Sequence, residues 1–242
     1  MQITICKDYP MLCRIAAQEV ALVLKNSPNP VLGLPTGSTP IGVYSELVRL
    51  HDKEGLSFAM ATTFNLDEYI GIAAEHPGSY RYFMNRLLFS MVDIDPTNTH
   101  IPDGMAISAV DEAEHYEAMI RQMGPIDLQL LGIGTNGHIG FNEPGTAFNT
   151  PCRVAELSQE TRVANAAHFG DDLSKVPTHA ITMGIATITT AKRIVLMASG
   201  SHKASIIRSL VKSDITPDLP ATALRNHPDV LLLLDEEAAS LI

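Results

Sequence analysis

His138, Glu143, Asn136 and Asn142 lie together in Leu131-Gly132-Ile133-Gly134-Thr135-Asn136-Gly137-His138-Ile139-Gly140-Phe141-Asn142-Glu143-Pro144-Gly145. An imidazole titrates near neutral pH, and a nearby carboxylate can orient it, so this set can move protons. The five glycines permit tight turns and close backbone approach to a ligand. A plain Gly-rich turn in which His138 caps a carbonyl would read the same way. A second candidate is Asp67-Glu68, a carboxylate pair suited to acid/base work or to capping the next segment. A third is Pro35-Thr36-Gly37-Ser38-Thr39-Pro40, small hydroxyl residues ahead of a helix from Ile41. Thr39 is placed to N-cap that helix, with Pro40 at its first position. Free N–H groups at a helix start make a phosphate cradle, though an ordinary capped loop would look alike. Gly-Lys-Ser/Thr is absent, so this is not a Walker A loop. Ser199-Gly200-Ser201-His202-Lys203 is a second such start, with a lysine added.

Each candidate follows an apolar run. Residues 31–34, 61–66, 126–131 and 193–198 read as buried strands, and 230–234 as a last one. Residues 2–6 alternate as a short edge strand, and 153–157 form another strand. Between them lie helical stretches. One starts after Asp8 and Pro10 and runs to about residue 25, with Leu12, Ile15, Ala16, Val20, Val23 and Leu24 on one stripe. Others cover 41–51, 79–91 (burying Tyr82, Phe83, Leu87 and Leu88), 110–123 (His115 solvated), about 203–212 and 221–227. Arg162 and His168 are polar candidates in a mixed segment. Strand–helix alternation predicts an α/β fold: a mostly parallel, Rossmann-like sheet with helices on both faces, in one domain over 1–242. The four candidate loops would then open on one edge, the C-terminal ends of the strands. Two phosphate-type helix starts, two carboxylates and a His–Glu pair converging there suit a small phosphorylated molecule and proton transfer.

Composition narrows the classes. The chain has 242 residues, 45% hydrophobic and 18% charged, which is globular. Its net charge of −10, without a basic run, disfavours nucleic acid. Cys6, Cys13 and Cys152 are too few and too scattered for a disulfide framework or a CxxC metal site, and the histidines lack ligand spacing. No signal-peptide pattern or bilayer-length apolar run is present, so a cytoplasmic location is expected, without membrane partners. Gly-x-Ser-x-Gly is absent, and the Gly132-x-Gly134-x-x-Gly137 spacing runs into His138 instead of a clean helix, so neither a serine-hydrolase nor a dinucleotide reading holds.

Residues 33–40, 65–69 and 132–144 together resemble, in order and spacing, the glucosamine-6-phosphate deaminase family (glucosamine/galactosamine-6-phosphate isomerases), over nearly the whole chain. The resemblance implies that glucosamine 6-phosphate and water give fructose 6-phosphate and ammonia, in amino sugar catabolism, with no metal or nucleotide cofactor. It implies Asp67 as the base moving the C2 proton to C1, ionised at neutral pH without special tuning. His138 would open the sugar ring, Glu143 would orient His138, and Asn136, where some members carry Asp, would help to orient. Thr36, Gly37, Ser38, Thr39 and Lys203 would hold the phosphate. Family members often carry an arginine where this chain has Ala166-Ala167-His168, so His168 is a candidate replacement clamp and galactosamine 6-phosphate an alternative substrate. Related 6-phosphogluconolactonases lack the Asn-Glu-Pro ending, and a lactonase remains a second alternative. A non-catalytic sugar-phosphate sensor is a third, although the chain keeps Asp67, His138 and Glu143. Longer allosteric members continue past Leu234, so a short form is expected, a monomer or small homo-oligomer without activation by N-acetylglucosamine 6-phosphate.

Overall fold

The computed structural model describes residues 1–242, apart from the side chains of Ala164, Ala167 and His168. It begins with β1 (Gln2–Cys6) and α1 (Tyr9–Asn26). Asp8 caps α1 by accepting the Met11 N–H at 2.8 Å, and Pro10 sits in the first turn, where its missing donor does no harm. Then come β2 (Val31–Leu34), α2 (Ile41–Glu54), β3 (Thr62–Asn65), β4 (Asp67–Tyr69), α3 (Tyr80–Leu87) and β5 (Thr99–His100). The remainder is α4 (Ala109–Met123), β6 (Leu128–Gly132), β7 (Arg153–Glu156), α5 (Gln159–Asn165), β8 (His179–Thr182), α6 (Ile185–Ile188), β9 (Arg193–Ala198), α7 (Ala204–Lys212) and β10 (Val230–Asp235).

Seven strands form one parallel sheet in the order β1-β10-β9-β6-β2-β3-β5. Its strands read as continuous apolar runs because both faces are covered. In β10, Leu231 and Leu233 join the core under α1 and α2, while Leu232 and Leu234 join the core under α4 and α7. That two-residue alternation lets one strand serve two layers.

The sequence expectations need four corrections. Asp67-Glu68-Tyr69 is not a loop but β4, which with β8 and β7 makes a second, antiparallel sheet. Thr39 does not cap α2: Pro40 holds the cap position without a side-chain bond, and Tyr9 braces the turn instead, donating to Thr39 O at 2.9 Å. The helix expected over 79–91 ends at Leu87, where Leu88 leaves helical geometry (φ −141°, ψ −59°) and a 3₁₀ turn follows. Within it Tyr80 and Met84 are buried, whereas Tyr82 and Phe83 are only partly so. The segment near 221–227 is a 3₁₀ helix, Pro220–Asn226. His115 is exposed on α4, as its position suggested.

Candidate active site

The loops after β2, β3, β6 and β9 do open on one edge. They line a common cavity of about 300 Å³ with Thr36, Gly37, Ser38, Thr39, Asp67, Gly134, His138 and Lys203 in its wall.

At one end is the start of α2. Gly37 takes φ +96°, a left-handed turn that favours glycine. Among the described residues, no protein acceptor takes up the N–H groups of Thr36, Gly37, Ser38 or Thr39. Two tyrosines hold the loop from below. Tyr9 Oη also accepts the Gly42 N–H at 2.9 Å, and Tyr44 Oη donates to Pro35 O. Lys203 reaches the same end from the β9 loop and donates to Ile133 O at 2.8 Å. Burial lowers the pKa of its ammonium, so an anion arriving there meets a poorly solvated cation.

Asp67 forms the floor. It is 5% exposed and sits opposite Thr182 in the antiparallel pair. Burial first, and the neighbouring Glu68 charge second, push its pKa up to about 8, with the Thr182 hydroxyl pulling the other way. The expectation of an ordinary, untuned aspartate is therefore corrected. The desolvation comes from strand pairing across more than a hundred residues, which local sequence does not reveal. Glu68 is not a second site carboxylate: it accepts the N–H groups of Tyr69 (2.9 Å), Tyr80 (3.0 Å) and Arg81 (2.9 Å) and so caps α3.

The Gly-rich loop stands over Asp67. Gly134 N–H donates to His138 O at 2.9 Å, and His138 N–H donates to Asn136 Oδ1 at 3.1 Å, closing a tight turn. A Cβ on Gly134 would lie 2.3 Å from the His138 ring, so glycine is what lets the imidazole lie flat on the loop. A Cβ on Gly140 would come within 3.4 Å of Asp67 Oδ2. His138 Nδ1 is buried, has no hydrogen-bond partner among the described residues, and lies 3.7 Å from Glu143 Oε2. Asn136 Nδ2 donates to that same Oε2 at 2.7 Å. Burial tends to raise the Glu143 pKa, but His138 and bonds from Thr161 and Asn136 outweigh it and hold the carboxyl at about 2.

Other sequence candidates lie elsewhere. Asn142 is fully buried and ties the loop to Ile139 O (2.8 Å) and Met183 O (2.9 Å). Arg162 donates to Leu173 O (2.9 Å) and Val176 O (3.0 Å), stapling its own segment. The side chain of His168, the candidate replacement clamp, lies outside the described residues. Sequence reasoning missed Tyr80, Phe141, Thr161 and Asn165, all in the cavity wall. Tyr80 and Phe141 stack at 6.2 Å, and Tyr80 Oη donates to Tyr69 Oη at 3.1 Å. Tyr80, Thr161 and Asn165 carry helix signals, and Phe141, although in the candidate loop, reads as an apolar residue without chemistry of its own. Among the described residues, no group of three or more His, Cys, Asp or Glu is arranged around a metal position. Among the described residues, no helix is long and apolar enough to cross a membrane.

A family model described as glucosamine-6-phosphate isomerases/6-phosphogluconolactonase matches residues 10–232. The chain belongs to this family. Two curated members of it are glucosamine-6-phosphate deaminases. That of Clostridium perfringens is 46% identical over 242 residues, covering the whole of both chains. Glucosamine-6-phosphate deaminase 1 of Bacillus subtilis is 47% identical over 241 residues, covering 100% of this chain and 99% of the other. A solved structure described as a monomeric glucosamine-6-phosphate deaminase superposes with a TM-score of 0.98 at 47% identity, over 100% of both chains. The 6-phosphogluconolactonase of Trypanosoma brucei superposes with a TM-score of 0.81 at 20% identity, over 99% of this chain and 97% of that one, which is a likeness of fold.

Proposed function

We propose that the protein deaminates glucosamine 6-phosphate, giving fructose 6-phosphate and ammonia. One observation carries the reading: a buried aspartate and His138, which Glu143 backs at 3.7 Å, share a cavity with the unclaimed N–H groups of a helix start. The phosphate sits on the N–H groups of residues 36–39 and on Lys203, which fixes the sugar's direction in the cavity. His138 handles the O1 and O5 protons as the pyranose ring opens. Glu143, ionised throughout the neutral range, favours the charged imidazole that forms, and Asn136 keeps that carboxylate in place. Asp67 then takes the C2 proton. The electrons left at C2 pass into an enolamine, the nitrogen counterpart of an enediol, and Asp67 returns the proton to C1. Water adds to the resulting C2 imine, and ammonia leaves.

The raised Asp67 pKa fits this substrate. An amino sugar brings a cationic nitrogen at C2, next to the proton to be removed. That charge favours the carboxylate and so prepares the base on binding. The protein is read as acting in the cytoplasm as a monomer or small homo-oligomer, in line with the monomeric relative.

The deciding measurement is ammonia release from glucosamine 6-phosphate and, separately, galactosamine 6-phosphate. Release from the glucosamine compound is the expected result. Release mainly from the galactosamine compound would move attention to Ala167 and His168. No release from either would overturn the reading, and hydrolysis of 6-phosphogluconolactone would then be the next assay.

A further inference from the structure

Glu143 is gripped on both oxygens, and the two grips come from different parts of the chain. Oε2 faces its own loop: Asn136 Nδ2 at 2.7 Å and His138 Nδ1 at 3.7 Å. Oε1 faces α5: Ser158 Oγ donates to it at 3.2 Å, and Thr161 Oγ1 donates in a shorter contact. Ser158 is itself the N-cap of α5, its Oγ accepting the Thr161 N–H at 3.1 Å. Thr161 is only 5% exposed, lines the cavity, and accepts Asn165 Nδ2 on its carbonyl at 2.8 Å. The hydroxyl itself lies between Glu143 Oε1 and the cap, with Ser158 Oγ 3.0 Å from Thr161 Oγ1.

The terminal torsion of a glutamate is broad, so a carboxylate gripped on one oxygen pivots easily. Its second oxygen must be fixed before the first can meet an imidazole at a defined angle. We propose that Thr161 is a positioning residue for the reaction. Its hydroxyl, carried on α5, fixes the rotation of the Glu143 carboxylate and with it the approach of Oε2 to His138. Ser158 supports it from the cap. Ring opening is then tied to the seating of α5, a helix whose sequence carries no acid or base that enters the chemistry. The inference rests on the reading of Glu143 and His138 as the ring-opening pair.

The test is steady-state kinetics on glucosamine 6-phosphate with T161V, T161S, E143Q and the T161V/E143Q double variant, each checked by thermal unfolding. T161V keeps the shape of the side chain and removes its donor. Its kcat is expected to fall about 10-fold, the scale of one hydrogen bond to a charged group, with KM within about two-fold of wild type. T161S should recover most of the loss. In the E143Q background T161V should cost nothing further, because a group acting through Glu143 has nothing left to position. A merely structural threonine would give losses that multiply in the double variant, and that result overturns the proposal. So does an unchanged kcat in T161V while E143Q is impaired. A fully active E143Q would instead overturn the ring-opening reading itself, and the Thr161 role with it. Should T161V not fold, S158A removes the other Oε1 donor and is expected to lower kcat alone. An unchanged kcat there overturns the proposal as well.

Discussion

Asp67 is a buried acid beside a second buried acid, and that placement has consequences for rate and for stability. The kcat/KM profile reports groups of the free enzyme, so it is expected to rise with pH and level off near the Asp67 pKa of about 8. Asp67→Asn should lower kcat by at least ~10²-fold, the usual scale of general acid–base catalysis. A variant within a few-fold of wild type would remove Asp67 from the chemistry. Stability runs the other way. The folded pKa is raised above the ordinary 3.8, so the folded protein keeps a proton that the unfolded chain has released. This contribution to stability is complete below the unfolded value and is lost as pH rises through about 8. Asp67→Asn has no such proton to lose. It should therefore unfold at a higher temperature than wild type at about pH 9, with the gap closing by about pH 5 in a thermal melt. Little of this is legible in the sequence. Asp67 is visible as an acid at a strand end, but its solvent is removed by Thr182 and Gly140, which only the fold brings near.

Glu68 works at the scale of the element. Its carboxylate receives two N–H groups where α3 begins and that of Tyr69 in β4, and it also adds to the charge felt by Asp67. Glu68→Ala leaves those donors without an acceptor and should destabilise the protein by about 1–3 kcal/mol, read from denaturant unfolding. Glu68→Gln keeps an acceptor and removes the charge. It is expected to move the rise of kcat/KM to lower pH, and an unmoved profile would show that Glu68 does not tune Asp67. The Asp67-Glu68 pair looks like one feature in the sequence. Adjacent residues in a strand point to opposite sides, so the fold gives the two carboxylates separate duties. Of the second sheet only β7 was legible, over 153–157, and the pairing that makes it a sheet stayed hidden for a related reason. Its strands are only three or four residues long, and β8 joins partners far from it in sequence. β4 and β8 lack the long apolar run that announced β6, β9 and β10.

The parallel sheet organises the whole molecule, and it was legible because its strands are buried on both faces. Leu232 is fully buried in β10, on the side covered by α4 and α7. Leu232→Ala should destabilise by about 2–5 kcal/mol, seen as a lower unfolding midpoint, with KM for the sugar phosphate unchanged in the folded fraction. The convergence of four loops was legible for the same topological reason: parallel strands deliver their C-terminal ends to one edge. The contacts of α5 with Glu143 were not, because they depend on how a separate segment is laid over that edge.

The register of β1 carries a further consequence, for the protein as it is made. Among the described residues β1 pairs with β10 alone, Gln2 beside Leu231 and Cys6 beside Asp235. Among the described strands β1 is made before the other nine, and the strand it pairs with is made after them. Throughout that interval Ile3 and Ile5 ride on an unpaired strand, open to pairing with other chains or to capture by a chaperone. Closure of the sheet is thus a late, long-range event. A nascent chain arrested short of Val230 would hold every residue that lines the cavity while lacking the partner of β1.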